Sequence, residues 1–178
     1  ILVQDLQCLQ VPVDVSQTEE PNFQPVPWFY APLLLTSERS AITRNLGQVS
    51  SVFASPIEVL PADSLRYEVL LATSSDTRLI GVPAKVDLAD FNADPKEFEY
   101  RYAPIAVALG GRFASLYAHR QPPREITHAG ERKAYSQPTK QVVAGCGNIV
   151  RKEWAEGFSN KDFLVNAVLW LSVFSSTI

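Results

Sequence analysis

The residue best suited to covalent chemistry comes directly after a short apolar run. Cys146 lies between Gly145 and Gly147, and a cysteine on a sharp turn from a strand to a helix is typical of a nucleophile elbow. The elbow needs small residues two positions before and after the nucleophile. Those positions hold Ala144 and Asn148, so the match is partial. The alternative is a structural turn, in which the two glycines permit the backbone conformation.

A cysteine nucleophile also needs a general base, and the chain has two histidines, His119 and His128. Both precede Cys146 and lie in or near a polar segment. Acidic side chains that could join the histidines around a metal ion are Asp76, Asp87, Asp90 and Glu125. No pair has the His-x-x-x-His spacing of a helical metal site. The sequence therefore predicts no metal site and no cofactor.

A second pair of glycines, Gly110 and Gly111, ends another apolar run. A phosphate-binding loop is one interpretation, but the Lys-Ser/Thr ending of a P-loop and the spacing of a dinucleotide fingerprint are missing. A turn is therefore favoured. Arg112 begins a basic cluster that suits either an anionic ligand or a solvated loop. The cluster continues with His119, Arg120 and Arg124.

Two further groups could bind or cleave sugars. The aromatic triplet Trp28, Phe29 and Tyr30 could stack on a sugar, although packing in the core is the favoured role. A glycoside hydrolase needs two carboxyl groups at a defined separation. Asp5 and the pair Asp87 and Asp90 form no recognisable combination of this kind.

Composition limits the class of protein. The chain has 178 residues, of which 46% are hydrophobic and 20% charged, with a formal net charge of -3. This length and composition predict one globular domain with its own core. The acidic balance argues against a surface for nucleic acid or anionic lipid, and two cysteines cannot form a disulfide framework. The apolar stretch 163–174 is shorter than the roughly 20 residues that span a bilayer, so we expect no membrane insertion of this segment. Because the chain contains no Met, we expect it to be a piece of a larger protein.

Apolar alternation and short apolar runs predict strands at 11–15, 49–53, 55–60, 67–72, 82–88, 105–109 and 141–145. The last two runs are typical of strands buried on both faces. The apolar run at 28–35 predicts either a short buried strand or an aromatic anchor under the preceding loop. Loops are predicted at 16–27 and 121–139. A helix is predicted from Asn160, as N-cap, with Asp162 in its first turn and an apolar stripe made by Phe163, Leu164, Ala167, Val168 and Leu171. The predicted fold is an α/β sheet in a single domain, with a β-rich part at about 49–101 and an α/β part at about 102–178.

Several segments together indicate a family. They are Leu2-Val-Gln-Asp-Leu-Gln-Cys, Pro27-Trp-Phe-Tyr-Ala-Pro-Leu-Leu with Ile42-Thr-Arg-Asn-Leu, Ala106-Val-Ala-Leu-Gly-Gly-Arg-Phe-Ala-Ser-Leu-Tyr, Gln141-Val-Val-Ala-Gly-Cys-Gly-Asn-Ile-Val-Arg and Asn160-Lys-Asp-Phe-Leu-Val-Asn-Ala-Val-Leu-Trp-Leu. In this order they resemble GldG, the gliding-motility-associated ABC transporter auxiliary proteins of Bacteroidetes. The resemblance covers nearly the whole chain.

The resemblance implies a membrane-anchored protein with a large extracytoplasmic region that accompanies an ABC exporter. The wider group, which shares a domain with an intraflagellar-transport protein and an oligosaccharyltransferase subunit, looks like a degenerate class I glutamine amidotransferase fold. That fold is flavodoxin-like, with a mainly parallel sheet flanked by helices. Carbohydrate binding is suggested for the group, and the family has no catalytic residues to carry over. Relatives tend to have an acidic residue in place of Cys146 and a longer loop before the last helix, so a missing loop is expected near 153–160.

These expectations combine into one leading hypothesis. The chain is expected to be a non-enzymatic, periplasmic domain at the inner membrane, anchored by segments absent here, that acts in protein or glycan interaction and binds no nucleic acid. The full-length protein is expected to associate with the transporter's membrane and ATPase subunits. The alternatives are a periplasmic solute receptor and a Cys146-dependent hydrolase or amidotransferase-like enzyme. Open α/β sheets bind ligands at the carboxyl ends of their strands. The expected ligand-binding residues are Gly110, Gly111, Arg112, Gly145, Cys146, Gly147 and Asn148.

Overall fold

The structure is a computed structural model that describes residues 1–16, 20–86, 93–121, 133–155 and 157–173. The strands are β1 (Leu2–Asp5), β2 (Cys8–Asp14), β3 (Phe23–Thr36), β4 (Val49–Ser50), β5 (Leu65–Ala72), β6 (Thr77–Ile80), β7 (Pro104–Gly111) and β8 (Thr139–Ala144). The helices are the four-residue α1 (Lys152–Ala155) and the longer α2 (Asn160–Ser172). Short 3-10 turns lie at Pro95–Glu97 and Gly147–Val150.

Antiparallel pairing builds both sheets of the described chain. The larger sheet has six strands in the order β2-β3-β5-β7-β8, with β4 paired to β3 beside this path, and it curls into a half-barrel. The smaller sheet pairs β1 with β6. Strand β5 pairs with β7, so the segments predicted as a β-rich part and an α/β part contribute to the same sheet.

The predicted fold class is wrong. We expected a mainly parallel, flavodoxin-like sheet flanked by helices, and the structure is mostly antiparallel with a single long helix at its end. Parallel neighbours need a long crossover connection, which is usually a helix. Before α2, the described chain has only two 3-10 turns and the four-residue α1, so no helix is available to make such crossovers.

Strands β7 and β8 show how position in the sheet decides burial. Strand β7 lies between β5 and β8, and Ile105 through Ala108 are buried, which confirms the strand predicted there as covered on both faces. Strand β8 is also confirmed as a strand, but its predicted burial is wrong. It is the last strand in the sheet order, and most of its residues are exposed or half-buried.

The other strand predictions have mixed outcomes. Those at 11–15 and 67–72 fall in β2 and β5, and the one at 28–35 falls in β3, which already begins inside the predicted loop 16–27. Within the predicted strand 49–53, only Val49–Ser50 forms a strand. The described residues of the predicted strands 55–60 and 82–88 form no strand. Residues 87 and 88 lie outside the described chain. Strand β6 was not predicted. The segment at 55–60 is held by isolated loop bonds, such as Ile57 N–H to the Pro104 carbonyl at 2.8 Å.

The helix α2 is present where it was predicted, but Asn160 has a different role. It is the first residue of the helix rather than the N-cap, which is Ser159. The Asn160 side chain is fully buried. Its Oδ1 accepts from the Ser50 N–H at 2.9 Å, and its Nδ2 donates to the carbonyls of Ser50 at 2.9 Å and Ile149 at 3.0 Å. The side-chain amide therefore links the start of α2 to β4 by hydrogen bonds.

The core combines residues of both sheets and of the connecting segments with the buried face of α2. It is formed by Val3, Leu34, Ile42, Val49, Ala54, Leu70, Leu71, Ala103, Ile105, Ala106, Ala108, Cys146, Ile149, Phe163 and Ala167. The predicted stripe of α2 is only partly inside, because Val168 and Leu171 are exposed. The helix therefore packs through a narrower face than its sequence indicates.

Replacing Asn160 with Ala should destabilise the chain. The substitution leaves a buried N–H and two carbonyls without their partner, and each such group costs about 1–3 kcal/mol. We expect the free energy of unfolding, measured in urea, to fall by at least the cost of one such group, about 1–3 kcal/mol. Lys161→Ala, at the exposed neighbouring position, is the control and should change stability little. Equal stability of the two variants would contradict this role of Asn160.

Candidate functional site

The structure divides the predicted ligand-binding residues into two groups. Gly111 pairs with Thr139 at the start of β8, whereas Gly145 follows the end of β8. These points are six residues apart along the strand, which is about 20 Å at the usual rise per residue. Antiparallel pairing causes the separation, because it places the ends of neighbouring strands at opposite edges of the sheet. The seven residues therefore do not form one site.

Cys146 is buried beside a main-chain carbonyl. Its exposed fraction is 3%, and its Sγ donates to the Val52 carbonyl at 3.2 Å, which also accepts from the Asn148 Nδ2 at 3.2 Å. The thiol therefore bonds the backbone rather than an imidazole or a carboxylate. His119 is exposed, and His128 lies outside the described residues.

Gly145 and Gly147 have different structural demands. Gly145 bonds Ile105 and Ser55 through its backbone, each at 2.8 Å, and a Cβ on Gly145 would lie only 2.1 Å from the Ser55 carbonyl oxygen. A Cβ on Gly147 would meet nothing within 4 Å. Close backbone packing therefore requires the first glycine and not the second.

The other glycine turn is also explained by packing. Gly111 has φ 138°, and a Cβ there would lie 2.2 Å from the Ser64 carbonyl oxygen. The next residue, Arg112, donates its N–H to the same oxygen at 3.0 Å and its Nε to the Ser136 carbonyl at 3.4 Å. Gly110 is buried inside the strand. This group supplies an exposed guanidinium but no enclosed site.

The remaining candidates are dispersed. Phe29 and Tyr30 are buried, so the preference for core packing is confirmed for these two residues. Trp28 is half-buried and packs edge-on against Phe53, with ring centroids 5.7 Å apart. Exposed candidates are Asp76, His119 and Arg120. Those outside the described residues are Asp87, Asp90, Arg124, Glu125 and His128. Across the described ranges, no three His, Cys, Asp or Glu side chains are grouped to hold a metal ion.

Asp5 is a fully buried carboxylate with neutral partners. Its Oδ1 accepts from the Gln7 N–H and the Ser74 hydroxyl, each at 2.7 Å, and its Oδ2 accepts from the Ser74 N–H at 2.8 Å and the Thr77 hydroxyl at 2.9 Å. These bonds tie the end of β1 to the turn before β6. Satisfied buried carboxylates of this kind stabilise a local conformation, so we assign Asp5 a structural role.

The same carboxylate influences Cys8. Burial and, second, the negative charge of Asp5 raise the pKa of the Cys8 thiol to about 11, against an opposing effect of a hydrogen bond with the Trp28 backbone. A thiol with this pKa remains protonated at neutral pH, and the thiolate is the nucleophilic form. Cys8 is therefore poorly suited to covalent catalysis.

A pocket at the edge of β5 was missed by the sequence reasoning. Its volume is about 980 Å³, and it is lined by Ser37, Arg39, Tyr67, Glu68, Val69 and Tyr102. Both tyrosines keep 56% of their surface exposed. Tyr102 has φ 52°, an uncommon backbone conformation for an aromatic residue, and its N–H donates to the Ser74 carbonyl at 2.9 Å.

The pocket places two aromatic side chains beside one charge of each sign. The tyrosines offer flat faces and hydroxyls, while Arg39 and Glu68 supply one charge of each sign. The one sequence feature that could have indicated this pocket is Tyr67, an aromatic residue in a predicted strand. The residues that line the pocket come from three separate segments, so their proximity could not be derived from spacing in the sequence.

Gly145→Ala should destabilise the chain by roughly 1–3 kcal/mol, because the new Cβ must displace the Ser55 backbone or its own strand. Gly147→Ala is the matched control, since space is open there. Urea unfolding of both variants would measure the difference. If the two variants unfolded at the same urea concentration, the packing argument would be wrong.

Cys8 should react slowly with iodoacetamide at pH 9. The unfolded thiol has a pKa near 9.0, so a folded pKa of about 11 reduces the thiolate fraction and should slow alkylation about tenfold or more. The raised pKa also contributes stability that is complete below pH 9 and is lost between pH 9 and 11.

Mass mapping of alkylated peptides would measure Cys8 separately from Cys146. The urea-unfolded chain is the control and should react at the rate of an ordinary thiol. The fall in stability between pH 9 and 11 should be smaller in Cys8→Ala. Rapid alkylation of folded Cys8 at pH 9 would contradict the prediction.

Comparisons with known proteins give one informative match. No curated protein and no solved structure matches the chain. No helix in the described ranges is both long and apolar enough to cross a membrane. The family model described as "ABC-type uncharacterized transport system" matches residues 1–167. Because this match spans most of the sequence, the chain belongs to that family, as an auxiliary component of an ABC-type transport system.

Proposed function

We propose that this chain is a non-enzymatic interaction domain, which the auxiliary component uses to contact the transporter's membrane subunit, while the full-length protein associates with the membrane and ATPase subunits together. The observation that carries the proposal is the pocket of Tyr67, Tyr102, Arg39 and Glu68 at the edge of β5. Aromatic and arginine side chains of this kind contribute most to binding at protein interfaces. The family match supplies the transport system in which the contact is made.

The resemblance to the gliding-motility proteins supports a more specific location and transport system. We place the domain on the periplasmic face of the inner membrane, in a transport system of the gliding-motility type found in Bacteroidetes. The exposed tyrosines also suit a glycan, because aromatic faces pack against the apolar faces of sugars. A glycan is therefore the second candidate for the same pocket.

The two alternative functions have less support. A Cys146-dependent hydrolase would need a base near a thiol that bonds the Val52 carbonyl and is 3% exposed. A solute receptor would need a cleft that encloses most of its ligand, whereas the tyrosines of the pocket stay more than half exposed.

Tyr67→Ala should weaken capture of the cognate transporter subunits by about tenfold or more, as expected for a tyrosine at the centre of an interface. The measurement is the affinity of the purified chain for those subunits in detergent. Tyr135→Ala is the matched control, because Tyr135 is 48% exposed and does not line the pocket.

Two results would contradict the proposal. One is equal capture by the Tyr67→Ala variant and the unsubstituted chain. The other is a hydrolytic activity that Cys146→Ala abolishes. A glycan array run with the same variants separates the two candidate ligands, since a glycan that binds through the pocket loses its signal with Tyr67→Ala and keeps it with Tyr135→Ala.

A further inference from the structure

The pocket lies where one strand leaves the sheet. Strand β3 pairs with β5 at Leu35 with Ala72 and at Thr36 with Leu71. The last bond between the two segments runs from the Ser37 N–H to the Leu70 carbonyl at 3.0 Å. Residues 38–45 then form turns and a bend instead of continuing the strand. The edge of β5 before Leu70 therefore loses its neighbour.

A bulge in β5 makes this departure possible. The register of β5 against β7 shifts between Val69 and Leu71, so Leu70 is the extra residue. Bulged residues leave the regular ladder, and the Leu70 carbonyl points to Ser37 instead. The bulge thus marks the boundary between the paired and the open part of this edge.

The hydrogen-bond alternation identifies which backbone groups face the open edge. The Arg112 N–H donates to the Ser64 carbonyl at 3.0 Å, so Ser64 faces β7. Antiparallel ladders alternate between bonded and non-bonded pairs, so the backbone groups of Tyr67 and Val69 point to the opposite side. The Leu65 N–H also points that way and is satisfied by the Ala62 carbonyl at 3.0 Å.

Within the part of the chain that the structure describes, no segment pairs with Tyr67 or Val69 on that side. These two residues also line the pocket. The pocket therefore presents a row of backbone donors and acceptors with the two-residue repeat of a strand, about 7 Å. A saccharide has no matching repeat of amide groups, whereas an extended peptide has one.

We propose that this edge of β5 binds an extended peptide segment of a partner subunit as an added strand. The inference rests on the proposed function and names the mode of contact at the same pocket. The peptide lies antiparallel to β5, in line with β3, and exchanges backbone hydrogen bonds with Tyr67 and Val69. Main-chain bonds of this kind give affinity, and pockets for alternate side chains give specificity.

The side chains of the pocket define the chemistry of the partner. Tyr67 and Tyr102 are exposed at 56% each and suit an apolar or aromatic side chain of the peptide. Arg39 and Glu68 suit an acidic and a basic side chain respectively. The preferred segment is therefore extended, with one apolar anchor and charges of both signs.

The first test uses overlapping short peptides that cover the extracytoplasmic loops of the cognate transporter's membrane subunit. The peptide that binds most tightly is then N-methylated at one position at a time. Strand addition predicts that methylation weakens binding about tenfold or more at alternate positions and has little effect at the positions between. Absence of any binding peptide, or losses without this alternation, would overturn the proposal.

The second test removes the backbone donor of the protein. Val69→Pro lacks the N–H that faces the open edge, and proline is tolerated in a strand where its missing donor would face away from the sheet. Val69→Ala is the matched control, because it shortens the side chain and keeps the N–H. We expect about tenfold or greater loss of peptide affinity in Val69→Pro relative to Val69→Ala, with the far-ultraviolet spectrum unchanged.

Amide hydrogen exchange measures protection of the β5 edge in the unsubstituted chain. It therefore tests the proposal even if Val69→Pro does not fold. The amides of Tyr67 and Val69 should exchange rapidly in the free chain and slow at least tenfold when the peptide is bound. Slow exchange of both amides in the free chain, or protection by a glycan and by no peptide, would overturn strand addition. A third outcome separates the two proposals. If capture of the transporter depends on Tyr67 but the methylation scan shows no alternation, the proposed function is retained and strand addition is rejected.

Discussion

The pairing of β7 between β5 and β8 is the constraint on which the rest of the structure depends. Because β7 is bonded along both edges and buried through Ile105–Ala108, it fixes the register of both neighbours. It gives β5 one satisfied edge, so the other edge depends entirely on β3. It also sets Gly111 and Gly145 at opposite ends of the ladder, so one strand both creates the pocket edge and separates the two glycine turns.

Three local contacts hold other segments of the chain together. The Asn160 amide joins α2 to β4, the Asp5 carboxylate joins β1 to the turn before β6, and Gly145 lets the end of β8 approach Ser55. Each is a buried polar or close backbone contact, and none faces the pocket. The groups that stabilise these contacts are therefore separate from those that line the pocket.

The sequence predicted individual elements better than their arrangement. Periodicity located β2, β5, β7 and α2, because alternation and apolar runs report local burial. It could not distinguish parallel from antiparallel pairing, since β7 is covered on both faces in either arrangement. The sequence contained one relevant signal, a single helical pattern in 178 residues, which is too few for parallel crossovers. The strand at 141–145 followed by a helix predicted an α/β unit, and the resemblance implied a mainly parallel sheet. The mostly antiparallel pairing of the structure contradicts that fold class.

The candidate site could not be predicted because it depends on a missing neighbour rather than on a motif. Tyr67 lies in an ordinary strand pattern. On the side away from β7, β5 pairs in the described chain only with β3, which ends at Thr36 and does not reach Tyr67. Exposed strand edges are a hazard for aggregation, and natural proteins usually protect them with charges, bulges or a covering segment. Here a bulge at Leu70 and the charged side chains of Arg39 and Glu68 flank the edge, while Tyr67 stays exposed beside it. The edge is therefore bordered by charge, which limits self-pairing, and retains an exposed aromatic side chain beside its backbone groups.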